Sequence, residues 1–320
     1  MYPLSAISDA KKVLRLTHMR RLRAAARSDP SALKLESIRI CEVLYERICV
    51  LRRKHLGVEG AMLPPLLLCA YLPLFYEVDL RPLLSRLWRE RPNEHLRCVS
   101  VFVPTVLAQF KNVNSCTGTS VPVPLRSFPP QTVAERLMSA MLFVEVLGEG
   151  DLLRSFDVRG CYGLMELKEG ILHRDIFRSG ESVTCGVSPS SRRVTACDWW
   201  HSLFPHCPRP AGLIESGDHP RGGVQRGPLL SLTPGVLFDR TGGRLGKGGG
   251  YYDRFLQFQR CASGDPAEET TLAWGVAREM QLLSGEGDKL PVYRDSLPSH
   301  GMKDALMDAV VTSTEFVKCS

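Results

Sequence analysis

Two short apolar runs, LLLCAYLP from residue 66 and RCVSVFVP ending at residue 104, bracket a stretch that opens with polar residues at 77–79 and keeps helical spacing through Trp88. An apolar strand, a helix of about ten residues and another apolar strand make a βαβ unit, which requires a parallel sheet with helices on its faces. Further strand candidates are MLFVEV at 141–146, LLSLTPGVLFD from 229, LAWGVA at 272–277 and AVVT at 309–312. Upstream, residues 9–27 read as an amphipathic helix whose stripe of Val13, Leu16, Met19 and Leu22 slants, because steps of three fall short of the 3.6 period. Residues 31–53 read as a second helix carrying Leu33, Leu35, Ile38, Cys41, Leu44, Ile48 and Leu51.

The chain has 320 residues, 44% of them apolar and 23% charged, enough to bury a large core in one domain or two. Residues 105–140 and 168–228 lose all periodicity and read as loop-rich insertions. The 41 Lys and Arg against 34 Asp and Glu give a charge of +7, which suits an anionic ligand without selecting one. The most apolar stretch, residues 61–75, is too short for a membrane span and contains Pro64, Pro65 and Pro73. Eleven cysteines without a CxxC pair read as free thiols. Cys197, His201, His206 and Cys207 lack a usual zinc spacing, and zinc is set aside.

The chemistry concentrates in PGVLFDRTGGRLGKGGGYYDRFL, residues 234–256. Gly246, Gly248, Gly249 and Gly250 surround Lys247, and such a loop lets successive N–H groups converge on an oxyanion. A helix starting at Tyr251 adds its positive end, Arg244 and Lys247 add full charges, and Asp253 offers the hard oxygen that a phosphate-bound Mg²⁺ prefers. A Walker A loop is excluded, since Gly248 follows Lys247 and Thr241 stands where the first glycine belongs. Lys11 and Arg15, four apart, share a helix face and can reach one polyphosphate. Glu77 follows an apolar strand at the end where open parallel sheets bind ligands. Asp239, ahead of Thr241, Gly242 and Gly243, reads as a turn former. Tyr251 and Tyr252 either flank a flat ring or pack in the core.

The 234–256 segment resembles the signature of the 5-formyltetrahydrofolate cyclo-ligase family, PGxxFDxxGxRLGxGxGYYDxxL. AKKVLRLTHMRRLRA at 10–24, AYLPLFYEVD at 70–79, MLFVEV with GLMEL, and LAWGVARE with LPSHGMKDALMDAVVT agree with the family in the same order, so about half the chain carries the resemblance. Leu167 where proline is usual, Lys247 where arginine or tyrosine is usual, and one extra residue before Asp304 are its departures.

The resemblance implies an α/β fold with a mainly parallel sheet, similar to the NagB/RpiA/CoA-transferase architecture, in one domain over residues 1–320. It implies ATP-dependent cyclisation of 5-formyltetrahydrofolate to 5,10-methenyltetrahydrofolate. On the matching positions, ATP falls to Lys11, Lys12, Val13, Leu14, Arg15, Arg244, Leu245, Gly246, Lys247, Gly248, Gly249, Gly250, Tyr251 and Tyr252. Folate, which can be polyglutamylated, falls to Leu72, Glu77, Lys247, Gly248, Gly249, Gly250 and Tyr251. Arg244 and Lys247 are expected to stabilise phosphoryl transfer, and Asp253 and Asp304 to hold Mg²⁺.

The competing reading is a non-catalytic relative that binds folate or RNA. Tyr2 is the only aromatic in the first thirty residues, so a base-stacking platform is missing there and nucleic acid is disfavoured. A monomer without membrane attachment is expected. The basic N-terminal helix resembles a mitochondrial presequence, but cleavage would have to stop before Lys11, so cytoplasm is favoured over mitochondrion.

Overall fold

The computed structural model describes residues 4–54, 66–90, 99–106, 141–159, 163–171, 194–195, 213–214, 228–262, 271–285, 287–294 and 303–319. Helices α1 (Leu4–Ser28) and α2 (Pro30–Lys54) lead into strand β1 (Leu66–Cys69), helix α3 (Arg81–Arg89) and strand β2 (Val99–Val106). Strand β3 (Met141–Val146), helix α4 (Glu149–Ser155) and the hairpin β4 (Phe156–Arg159) and β5 (Leu164–Leu167) follow. Then come β6 (Val194–Thr195), β7 (Leu213–Ile214), β8 (Leu229–Pro234), the short pair β9 (Leu237–Phe238) and β10 (Arg244–Leu245), and helix α5 (Tyr251–Ala262). Strands β11 (Thr271–Val276), β12 (Ala309–Val311) and β13 (Phe316–Lys318) complete the described elements.

The main sheet runs β13-β12-β11-β8-β1-β2-β3-β6-β7. Neighbours from β12 through β2 are all parallel, while β13, β3 and β6 join antiparallel. The fold is therefore α/β with a mixed, mainly parallel sheet, as the βαβ pattern requires. The order reverses at its centre: from β1 the chain moves outward through β2 to β3, and from β8 it moves the other way through β11 to β12. Such a reversal opens a crevice beyond the C-terminal ends of β1 and β8, where α/β sheets receive ligands.

Alternate residues of each central strand enter opposite cores. Leu66, Leu68, Val99, Val101, Leu230, Leu232, Trp274 and Val276 pack against Ile40, Cys41, Leu44 and Ile48 of α2 and Leu83, Leu84 and Leu87 of α3. Leu67, Cys69, Phe102, Leu229 and Ala273 pack with Phe255 and Leu256 of α5. Burial on both faces explains why these strands read as mostly apolar runs, broken only by small hydroxyl residues such as Ser100, Ser231 and Thr233. Among the described residues Cys41, Cys49, Cys69 and Cys319 are free thiols, and no described helix is long and apolar enough to cross a membrane.

Three expectations need correction. Half of the α1 stripe is outside: Val13 and Leu16 are 62% and 52% exposed, while Met19 packs partly and Leu22 and Lys11 are buried. Steps of three carry a stripe backward around the helix, so its two ends cannot both face the protein. In α2, Leu35 is exposed as well, with Ile40, Cys41, Leu44 and Ile48 inward. Helix α3 begins at Arg81 rather than within 77–79, because Asp79 Oδ1 accepts the Arg81 N–H and the Glu77 carboxylate accepts the Leu74 N–H. Short acids bonded to nearby backbone hold a turn in place of a helix.

Residues 107–140 lie outside the described residues, as do Cys197, His201, His206 and Cys207. Within the 168–228 stretch, read from sequence as loop, β6 and β7 add two short strands beyond β3.

Candidate active site

The chain leaving β1 does not enter a helix directly, and residues 70–80 are irregular yet mostly buried. Buried irregular backbone still needs partners for its carbonyls, and here side chains supply most of them. The Tyr76 and Glu77 carbonyls accept from Arg278, the Val78 carbonyl from the Tyr71 hydroxyl at 3.0 Å, and the Asp79 carbonyl from the Cys41 thiol. A tight turn closes on this frame, with the Glu77 N–H donating to the Leu74 carbonyl and Glu77 Oε2 accepting the Leu74 N–H. Glu77 is thus a buried carboxylate at the central crevice, with Leu72 buried five residues before it.

From the other side of the crevice, β8 leads through the β9–β10 pair into the glycine loop. Asp239 does far more than form a turn. Fully buried, it accepts from the Thr241 and Gly243 N–H groups, the Thr241 hydroxyl and the Leu290 N–H. A Cβ on Gly243 would lie 2.2 Å from Asp239 Oδ2, so only glycine fits there. Gly248 and Gly250 adopt positive φ of 104° and 64°, a conformation that side chains disfavour. The Arg254 guanidinium holds the Gly249 carbonyl at 2.8 Å, and Arg15 Nε holds that of Gly246 at 2.9 Å. Lys247 reaches across to Glu77 Oε1 at 2.6 Å and lies 5.5 Å from the Tyr76 ring. The crevice is therefore spanned by a pair whose partners come from the irregular segment after β1 and the glycine loop after β10.

The nucleotide-facing candidates form an alternating cluster. Arg244 Nη2 lies 2.8 Å from Asp253 Oδ1, which also accepts the Ala305 N–H. Lys11 Nζ lies 2.5 Å from Asp304 Oδ2, which also accepts the Tyr293 N–H, and Lys11 sits 4.0 Å from the centre of the Tyr293 ring. Burial pulls the Lys11 ammonium below its ordinary value, against the pull of Asp304. Burial would raise the Asp253 carboxyl, but Arg244, the Ala305 N–H and Lys11 together hold it below the usual range. Among the described residues these bonds fall on one oxygen of each carboxylate, so Asp253 Oδ2 and Asp304 Oδ1 could serve as hard donors. Mg²⁺ suits such a pair, since it takes one or two carboxylates and completes its shell with phosphate and water.

Of the ATP candidates, Lys11, Arg15, Arg244 and Gly246 come together, with the two metal candidates Asp253 and Asp304 among them. Leu14 and Leu245 pack with Leu237 and Leu290 beneath them, whereas Lys12 and Val13 are exposed. Tyr252 packs in the core, its ring centroid 6.3 Å from that of Phe143, and burial pushes its hydroxyl far up. Tyr251 packs partly against the same cluster. Sequence reasoning missed Arg278, Arg254, Tyr293 and the full part of Asp239. The one signal for Arg278 was a charge directly after the apolar LAWGVA strand.

Residues 219–313 match the 5-formyltetrahydrofolate cyclo-ligase family. The protein named "5-formyltetrahydrofolate cyclo-ligase, mitochondrial" of Arabidopsis thaliana is 35% identical over 88 residues, which is 28% of this chain and 28% of that relative. The solution structure of Aquifex aeolicus 5,10-methenyltetrahydrofolate synthetase aligns over 96% of this chain and 92% of its own, at 17% identity and a TM-score of 0.45.

Proposed function

We propose that this chain, whose residues 219–313 match the 5-formyltetrahydrofolate cyclo-ligase family, is a single enzyme unit that cyclises 5-formyltetrahydrofolate to 5,10-methenyltetrahydrofolate at the expense of ATP. The observation that carries this reading is the crevice itself: one buried carboxylate, Glu77, faces the glycine loop through Lys247, with Lys11, Arg15 and Arg244 alongside. A carboxylate in that place accepts hydrogen bonds from the amino and ring N–H groups of a pterin, and Leu72 supplies apolar contact. Polyphosphate meets the cationic groups and the N–H groups of Gly248, Gly249 and Gly250 at the start of α5.

The formyl oxygen is a poor leaving group. It attacks the γ-phosphorus of ATP and ADP departs; the neighbouring aniline nitrogen then attacks the activated carbon, loses its proton, and inorganic phosphate leaves with the former formyl oxygen. Arg244 and Lys247 stabilise the charge on the transferring group. Asp253 and Asp304 would hold Mg²⁺, which when bound neutralises phosphate charge. The protein needs no side-chain nucleophile.

The test is incubation of purified protein with 5-formyltetrahydrofolate and MgATP, watching for the methenyl chromophore. Folded protein that yields no ATP-dependent product overturns the assignment, and salt-dependent RNA affinity without turnover would replace it with the binding-protein reading. Two compartments fit this reading, cytoplasm and, by likeness to the Arabidopsis relative, mitochondrion. A mitochondrial form must keep α1, because Lys11 and Arg15 belong to the crevice; cell fractionation decides between them.

A further inference from the structure

We propose that Arg278, immediately beyond the C-terminal end of β11, is a positioning residue for the Glu77 carboxylate; this rests on the reading that Glu77 receives the pterin. Arg278 is 2% exposed, and its guanidinium makes five contacts, matching its five N–H donors. Nε donates to the Tyr76 carbonyl at 3.1 Å and Nη2 to the Glu77 carbonyl at 2.7 Å. Nη2 also reaches the Ser37 hydroxyl at 3.3 Å, and Nη1 donates to the Leu33 carbonyl at 3.0 Å and to Glu36 Oε2 at 2.7 Å. The other Glu36 oxygen accepts the Glu279 N–H at 2.9 Å, so the guanidinium's counter-charge is itself fixed.

The geometry has a specific purpose. Two consecutive peptide carbonyls, on either side of the Glu77 nitrogen, are held from behind by one rigid planar group. With those carbonyls fixed, the Leu74–Glu77 turn can close in one way, and the carboxylate is presented on the opposite side, where Lys247 meets it. Among the described residues the guanidinium's hydrogen bonds go to Tyr76, Glu77, Leu33, Glu36 and Ser37, none of them to Lys247. It carries the register of α2 and β11 into the loop that ends β1, so three elements set the position of one side chain. Lysine offers three donors on a flexible stem and cannot hold both carbonyls and Glu36 in one plane.

The experiment compares Arg278→Lys with wild type in steady-state cyclisation and in hydrogen exchange of residues 70–80. The expected result is a rise of about 10- to 100-fold in KM for 5-formyltetrahydrofolate, the scale of a small misplacement of a binding group, with KM for MgATP within about twofold and faster exchange confined to residues 70–80. A folded variant with unchanged folate KM and unchanged exchange overturns the proposal, as does an equal loss in both substrates with exchange unchanged in that segment. Should wild type give no methenyl product, the functional reading fails alone, and the exchange comparison still decides whether Arg278 fixes the turn. If Arg278→Lys does not fold, Glu36→Gln takes its place, with a smaller rise in the same KM expected and an unchanged value counting against the proposal.

Discussion

Lys11 occupies a helix position that ordinary patterning assigns to an apolar residue, and its burial has a pH signature. Desolvation disfavours the ammonium, so its pKa in the folded chain lies below the ordinary 10.5. Between those two values the unfolded chain holds more protons, so this group's contribution to stability rises with pH there. Phosphate affinity runs the opposite way, because the neutral amine attracts no anion. KM for MgATP should therefore climb on an alkaline limb that begins below pH 10.5, and Lys11→Arg should move that limb upward; a pH profile of kcat/KM for ATP measures both. Lys11→Ala should mainly raise KM for ATP and Glu77→Ala mainly that for folate. Gly243 makes a different point. Its added Cβ would collide with the buried Asp239 carboxylate, so Gly243→Ala should cost about 2–4 kcal/mol in urea unfolding.

At the level of elements, legibility followed burial. Strands covered on both faces are apolar on both faces apart from small hydroxyl residues such as Ser100, Ser231 and Thr233, and β1, β2, β8 and β11 were found near their observed bounds for that reason. The glycine loop was legible because its glycines have no other use at that density. Helix α1 was found as a helix but misjudged in orientation, since its inward face runs from Lys11 through Leu14, Arg15 and Met19 to Leu22. A buried cation there makes sense only beside Asp304, a partner 293 positions away. Arg278 was invisible for the same reason: all five of its guanidinium's acceptors sit in α2 or beyond β1, and no local period announces them. The two faces of α1 can be separated by mutation. Leu22→Ala should destabilise by about 2–4 kcal/mol, whereas Leu16→Ser should stay within about 0.5 kcal/mol, as read from thermal or denaturant unfolding.

Across the whole molecule, the sheet is assembled out of sequence order. β8 enters between β1 and β11, and the segment before it supplies β6 and β7 beyond β3. The 168–228 stretch is therefore not only a surface excursion. Replacing residues 172–227 with a short linker would leave the outer edge of β3 unpaired, and exposed edges recruit other strands. The expected outcome is a folded chain that self-associates in sedimentation more than the full-length protein while keeping turnover, since Glu77, Lys247, Arg244 and Asp253 lie elsewhere. The pairing of Lys11 with Asp304 carries a further consequence, for synthesis on the ribosome. Helix α1 leaves the ribosome well ahead of Asp304 and must wait, its charge uncompensated, until a partner 293 positions further along has been translated. A chain cut short before residue 304 would retain the entire glycine loop and still lack the partner that Lys11 requires, so truncated products should be silent in nucleotide binding and easy for quality control to recognise.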